Sequence, residues 1–234
     1  MVEERFCRTA LLLGEEGMAA LMAAKVAICG LGGVGGAACE ALARSGVGLL
    51  RLIDFDLVAC SNINRQLPAT TETVGQSKVD AVAKRIASIH PHCQVEKRRE
   101  RITEANVAAL LEGMDWVIDA IDDIPAKVAV IRYCKEHGVG IAASMGTGNK
   151  LYPEQLQLAD LAETTVCPLA RHMRQQLRKI GIVSDVPVVY STEPPIQPQC
   201  KLPQGQRTIG SVSFVPPVAG MMLAGYVIRQ LTGR

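Results

Sequence analysis

The stretch Gly30–Gly35, GLGGVG, constrains this chain more than any other. It follows an apolar run, Val26–Cys29, and opens a segment of small residues at helical spacing, Gly33–Ser45. A strand that turns sharply into a helix leaves the first helical N–H groups unpaired, and these face an anion. Gly30 suits the tight exit from the strand, Gly32 lets backbone approach a phosphate, and Gly35 permits close packing of helix on sheet. The pattern carries weight only between a strand and a helix, and here it has that context.

Strand and helix patterns alternate beyond it. Apolar strands are predicted at Val26–Cys29, Leu49–Asp56, Gln94–Arg101, Trp116–Ile121 and Val139–Ser144. Helices are predicted at Gly33–Ser45, Ser77–Ile89, Glu104–Leu111 and Lys127–Glu136; in Ser77–Ile89 the apolar positions 79, 82, 83, 86 and 89 share one face. This alternation predicts an α/β fold, doubly wound around a mostly parallel sheet. After about Gly148 the rhythm changes. A strand-like Leu151–Leu161, a basic helix Pro168–Ile180 and a strand Val186–Ser191 precede a Pro-, Gln- and Gly-rich loop, Thr192–Thr208. Within it, Pro194–Arg207 is a candidate lid. A strand Val212–Val215 and an apolar helix Val218–Gln230 close the chain. The expected organisation is one domain: an N-terminal helical segment (1–24), a Rossmann-like nucleotide-binding core (25–150) and a substrate-side and dimerisation extension (151–234).

Composition excludes several classes. A net charge of +2 over 234 residues argues against wholesale coating of nucleic acid. The opening MVEERFCRT lacks an apolar export segment. The longest apolar run, Val215–Ile228, holds two prolines and is shorter than the roughly 20 residues that span a bilayer. No membrane association is expected. The 8 cysteines include no CxxC pair, so reduced thiols and a cytoplasmic location are expected, without structural zinc.

The polar residues past the second strand carry the chemistry. Asp54 and Asp56 stand at the carboxyl edge of the sheet, where one of them can accept from ribose hydroxyls. Asn62, Arg65, Gln66 and Lys78 follow. Two cations converging on one site neutralise charge that builds on phosphate oxygens, and hydride transfer has no role for them. Arg65 and Lys78 are expected to face solvent in the free protein. Asp119, Asp122 and Asp123 close the central strand, and a carboxylate there suits Mg2+, which takes one or two carboxylates plus substrate phosphates. ATP with Mg2+ is thus favoured over a nicotinamide cofactor.

The ordered motifs GLGGVG, DFDLVACSNINRQ, VGQSKV and DAIDD resemble the ThiF/MoeB superfamily of ubiquitin-activating-type adenylating enzymes. The resemblance implies activation of a carboxylate as an acyl-adenylate with release of pyrophosphate. It further implies that Gly30, Gly32, Gly33 and Gly35 form the phosphate turn and that Asp54, with Asp56 beside it, holds the ribose. Asn62, Arg65 and Lys78 would embrace the triphosphate, with Arg65, Lys78 and Asp122 catalytic and Asp122 holding Mg2+. Superfamily dimers lend an N-terminal arginine to the partner's triphosphate; Arg8 stands at that place, with Arg5 nearby. A homodimer is expected, built partly from the C-terminal helix around Met221, Met222 and Leu223.

The flanks ERFCRTALLLGEEGMAAL, SMGTGNKLYPEQLQLADLAETTVCPLA and VVYSTEPP resemble the tRNA threonylcarbamoyladenosine dehydratases. That resemblance implies adenylation of the threonine carboxylate of a modified adenosine in tRNA, then ring closure with loss of AMP. A sulfur-transfer or redox partner protein also belongs to this picture. The alternative is adenylation of the C-terminus of a ubiquitin-like or sulfur-carrier protein; the absent CxxC pairs weigh against it. Val188 stands where some relatives carry a cysteine, and Cys167 is the remaining thiol near the expected site. For tRNA, Arg171, Arg174 and Arg178 share one helical face, and Lys97, Arg98, Arg99 and Arg101 form a second cluster. With aromatics at 3%, phosphate contacts rather than stacking platforms would carry binding.

Overall fold

A seven-stranded sheet in the order β3-β2-β1-β4-β5-β7-β6 organises the molecule. The computed structural model describes residues 2–200 and 209–234. The strands are β1 Lys25–Cys29, β2 Leu49–Ile53, β3 Gln94–Arg98, β4 Trp116–Asp119, β5 Gly140–Ser144, β6 Leu156–Asp160 and β7 Pro187–Ser191. All pairings are parallel except β6 against β7. β1 and β2 are buried almost throughout, as expected of strands covered on both faces. Arg51, in the middle of β2, is tolerated there because Glu96 lies 2.6 Å away and the carbonyls of Leu110 and Glu112 accept from Nη1.

The helices are α1 Cys7–Ala23, α2 Gly33–Ser45, α3 Lys78–Ile89, α4 Val107–Leu111, α5 Ile124–His137, α6 Pro168–Arg178 and α7 Val215–Thr232. α1 is broken at Gly14, whose φ of 74° and ψ of 176° leave the helical region. α3 buries Val79, Val82 and Ile86, so its apolar spacing is realised as a core face. One core cluster packs α1, α2, α3 and α7 on one side of the sheet; the other packs α4, α5 and α6 on the opposite side.

Three expectations are corrected. Val212–Val215 is not a strand: α7 starts at Val215, with proline in its first turn, where a missing N–H costs nothing. β2 ends at Ile53, and Asp54 and Asp56 lie in the loop beyond it. Leu223, expected at a dimer face, is fully buried within its own subunit, whereas Met221 is 43% exposed. The predicted loop Thr192–Thr208 and the candidate lid Pro194–Arg207 lie partly outside the described residues. Among the described residues no helix is long and apolar enough to cross a membrane.

Candidate active site

The chain runs from β1 outward to β3 on one side, then returns to β4 on the other. That reversal between β1 and β4 opens a crevice at the carboxyl ends of the strands, the place where open α/β sheets bind ligands. A cleft of about 720 Å³ occupies it.

Its floor is the glycine turn. Gly30 has φ +85°, and a Cβ there would stand 2.8 Å from the carbonyl oxygen of Ala120 at the end of β4. A Cβ on Gly35 would stand 1.8 Å from the carbonyl oxygen of Gly30, so α2 approaches the turn as closely as it does only without one. Gly30, Gly32 and Gly33 line the cleft; Gly35 does not, and acts through packing. α2 starts after Gly32 with no side-chain cap, and its first in-register bond is Gly36 N–H to the Gly32 carbonyl at 2.9 Å. The N–H groups before it point at the cleft as donors for an anion.

One wall carries the polar residues that follow β2. Asp54 accepts from the N–H of Leu31 at 2.7 Å and of Asp56 at 2.8 Å, which aims its carboxylate across the β1 and β2 ends. An antiparallel bridge between Leu57 and Ser77 sets the start of α3 beside this loop. Lys78 Nζ therefore reaches Asp56 Oδ2 at 2.7 Å and Asp54 Oδ2 at 3.9 Å. Lys78 is 6% exposed, which corrects the expectation that it faces solvent. Arg65 is half-buried, as its guanidinium is held by the carbonyl of Ser61 at 2.9 Å and Asn64 Oδ1 at 2.8 Å. No carboxylate pairs with it among the described residues. Asn62 Oδ1 accepts from Ala59 N–H at 3.0 Å. Gln66 is 6% exposed, and its Oε1 has no hydrogen-bond partner among the described residues. Asp54, Asp56, Asn62, Arg65, Gln66 and Lys78 all line the cleft.

The three acids at and after the end of β4 separate. Asp119 is fully buried, with Lys127 Nζ 2.9 Å from Oδ2 in an ion pair that lacks hydrogen-bond alignment. Lys127 also donates to the carbonyls of Ser144 at 2.8 Å and Ile121 at 3.2 Å, tying the ends of β4 and β5 together beneath the cleft. Asp119 thus cannot serve a metal. Asp123 lies 3.8 Å from Arg101, whose guanidinium sits 4.6 Å over the Phe55 ring. Asp122 is exposed and lines the cleft.

The opposite wall comes from the segment after β5 and the start of α6. Ser144, Asn149, Lys150 and Cys167 line it. Cys167 is buried as the residue capping α6. Lys127 and Lys150 were not singled out from sequence. A lysine opening a predicted helix just after the central strand, and another in the turn-rich TGNK before a strand, were the available signals.

Elsewhere, Arg8 is exposed on α1 and does not line the cleft, while Arg5 donates to the carbonyl of Ile89 at 2.8 Å and pairs with Glu3 at 2.8 Å. The arginine stripe of α6 is broken: Arg174 turns to the carbonyl of Thr164 at 2.8 Å, leaving Arg171 and Arg178 exposed. In the second cluster, Lys97 pairs with Asp80 at 2.7 Å and Arg98 with Glu96 at 3.9 Å. All 8 cysteines are free thiols, and burial pushes those of Cys29, Cys39 and Cys134 up, away from reactivity.

A sequence model described as the ThiF family matches residues 6–234. The chain is 40% identical over 239 residues to the tRNA threonylcarbamoyladenosine dehydratase of Bacillus subtilis (strain 168), covering 97% of this chain and 94% of that one. Among solved structures, the Escherichia coli tRNA N6-threonylcarbamoyladenosine dehydratase in complex with ATP is similar with a TM-score of 0.91 at 34% identity, covering 98% of this chain and 94% of that one. The same enzyme in complex with AMP is similar with a TM-score of 0.92 at 35% identity and the same coverage, 98% and 94%.

Proposed function

The chain belongs to the ThiF family, and from that premise we propose that it uses ATP to adenylate the threonine carboxylate of threonylcarbamoyladenosine in tRNA and then closes a ring with loss of AMP. The observation that carries this reading is the convergence of the glycine turn, Asp54, Arg65 and Lys78 on one cleft at the topological switch point.

The steps follow from the chemistry. A carboxylate oxygen attacks the α-phosphorus, and pyrophosphate leaves. The neighbouring carbamoyl group then attacks the acyl carbon and gives one proton to solvent. AMP departs with the former carboxylate oxygen, so the nucleoside loses one water overall. The α2 N-terminus, Asn62, Arg65 and Lys78 hold the phosphates, and Asp54 holds the ribose. Lys78 exchanges Asp56 for a phosphate oxygen when nucleotide enters, so its charge is in place before the reaction begins. Mg2+ fits the site through Asp122, an exposed carboxylate on the same cleft, and would supply charge neutralisation on the phosphates.

The exposed Arg171 and Arg178, on the helix whose first residues line the cleft, support contact with tRNA phosphates. A homodimer, with Arg8 reaching the partner's site, is supported by Leu11 and Leu12 on the same helix, 85% and 80% exposed. A monomer by light scattering at micromolar concentration would remove that part. The free thiols support a reducing, cytoplasmic setting. We read residues 1–24, 25–150 and 151–234 as the parts of one domain, since strands from the last two share the sheet.

The test is incubation with ATP and tRNA prepared with and without the threonylcarbamoyl mark, followed by nucleoside mass analysis. A loss of one water confined to the marked tRNA is expected. No mass change, or pyrophosphate release that depends on a diglycine-ended protein instead, overturns the assignment.

A further inference from the structure

Lys150 is a charged side chain with almost no access to solvent, 3% exposed, yet it lines the cleft. The segment that presents it is held firmly. Asn149, at φ 57°, accepts from the N–H of Gly210 through Oδ1 at 2.6 Å and donates its own N–H to the Gly210 carbonyl at 2.8 Å. Its carbonyl accepts from Ile196 N–H at 2.9 Å. The ammonium of Lys150 donates to the main-chain carbonyl of Glu193.

No carboxylate pairs with Lys150 among the described residues. The neighbouring acid, Glu193, is itself buried and spends its carboxylate on the N–H groups of Leu151 at 3.0 and 3.1 Å and Tyr152 at 3.1 Å. A desolvated ammonium whose one hydrogen-bond partner is a carbonyl is expensive to keep, and an anion bound in the cleft would offset that cost. Burial pushes its pKa down, against the opposing influence of Cys167 and Glu193. An ammonium carries three donors, and the Glu193 carbonyl takes one.

In the proposed reaction the phosphates already have Arg65 and Lys78 on the other wall and the α2 N-terminus at the floor. The remaining anion in the proposed reaction is the substrate's carboxylate. We infer that Lys150 binds the threonine carboxylate of the incoming nucleoside, fixing the acid against the nucleotide. The inference rests on the reaction proposed above. As a carboxylate oxygen bonds to the α-phosphorus and pyrophosphate leaves, Lys150 stays on the other oxygen. When the carbamoyl group attacks the acyl carbon, negative charge returns to that oxygen until AMP leaves, and the ammonium is already placed to meet it.

The test compares two anticodon stem-loop RNAs, one bearing threonylcarbamoyladenosine and one bearing its primary carboxamide, which keeps the shape and lacks the charge. Titration calorimetry with the wild type is expected to show the acid binding roughly 10- to 100-fold more tightly, the range of a hydrogen bond to a charged group. In K150M the preference should fall to near unity while the affinity for ATP is unchanged; K150R should retain part of it. Should K150M not fold, K150Q carries the same comparison, and the wild-type preference stands on its own. Equal binding of both RNAs by a wild type that still converts the acid overturns the inference and leaves the reaction standing. So does an unchanged preference in K150M, or a loss of ATP affinity that accounts for its whole defect. Binding of neither RNA overturns the reaction itself, and the inference with it.

Discussion

Lys78 Nζ lies 2.7 Å from Asp56 Oδ2, whereas Arg65, on the same cleft, has no acid partner among the described residues. The two residues therefore differ in what their removal does. R65A takes away a charge that, among the described residues, meets only the Ser61 carbonyl and Asn64 Oδ1, and on the proposed function it should lower adenylation on the order of 100-fold while leaving thermal stability nearly unchanged. K78A should cost a similar factor in rate and also leave the buried Asp54 carboxylate without its neighbouring positive charge, lowering stability by about 1–3 kcal/mol. Single-turnover pyrophosphate release and urea denaturation separate the two. Near-normal turnover in both variants would count against the assignment.

Gly35 is required by packing rather than by contact with ligand. In G35A the new methyl meets the Gly30 carbonyl oxygen, and backbone cannot swing aside as a flexible side chain does. Stability should drop by about 1–3 kcal/mol or more, and ATP affinity should drop with it because the turn is displaced. Urea titration and calorimetry check both, and unchanged ATP affinity would show that the turn tolerates the shift.

The buried pair Lys127–Asp119 should behave as a unit. K127M leaves Asp119 charged in the interior and should cost about 3–5 kcal/mol. D119N/K127M removes both charges while an amide oxygen still accepts from Ile121 N–H, the bond that Asp119 Oδ1 makes at 3.1 Å. It should recover more than half of the loss. A double variant as unstable as the single one would mean that the carbonyls of Ser144 and Ile121 are what need the lysine.

Asp122 is exposed, so D122N should leave the fold intact. It should weaken ATP binding in Mg2+ and leave binding in EDTA unchanged, as measured by calorimetry in the two buffers. An equal loss in both buffers would assign Asp122 to the nucleotide instead.

His90 is buried against the Phe6 ring, centroids 4.9 Å apart, and its Nδ1 lacks a hydrogen-bond partner among the described residues. Burial holds its pKa below the ordinary value. The unfolded chain thus takes up the proton first, so the contribution is present above about pH 6.5 and is lost as pH falls through the lowered folded value. Melting temperature should fall between about pH 7.5 and 5.5, and the fall should be smaller in H90L. An identical pH slope in H90L would place the titration elsewhere.

Much of this was legible in sequence because it depends on local spacing. The glycine turn, α2 at Gly33–Ser45 and the amphipathic α3 follow from chain-local sterics and a periodicity of apolar residues. The ordered motifs also brought Asp54, Asn62, Arg65, Lys78 and Asp122 to one cleft. What local spacing could not reveal was which charges are spent on one another. Arg174 looks like part of a basic stripe until the Thr164 carbonyl claims it, and Asp119 looks like Asp122 until Lys127 lies beside it.

The order of small, apolar and charged residues determined the parallel α/β architecture, the phosphate turn and the chemistry of the polar loop after β2. The tertiary structure decided the rest: that Lys78 is buried on Asp56, that Leu223 belongs to the subunit's own core, and that Lys150, buried in the cleft wall opposite Arg65 and Lys78, has no carboxylate paired with it among the described residues. The reason is physical. Backbone geometry and hydrophobic period are encoded within a dozen residues, whereas the energy of a charge depends on partners and solvent that distant segments bring or exclude.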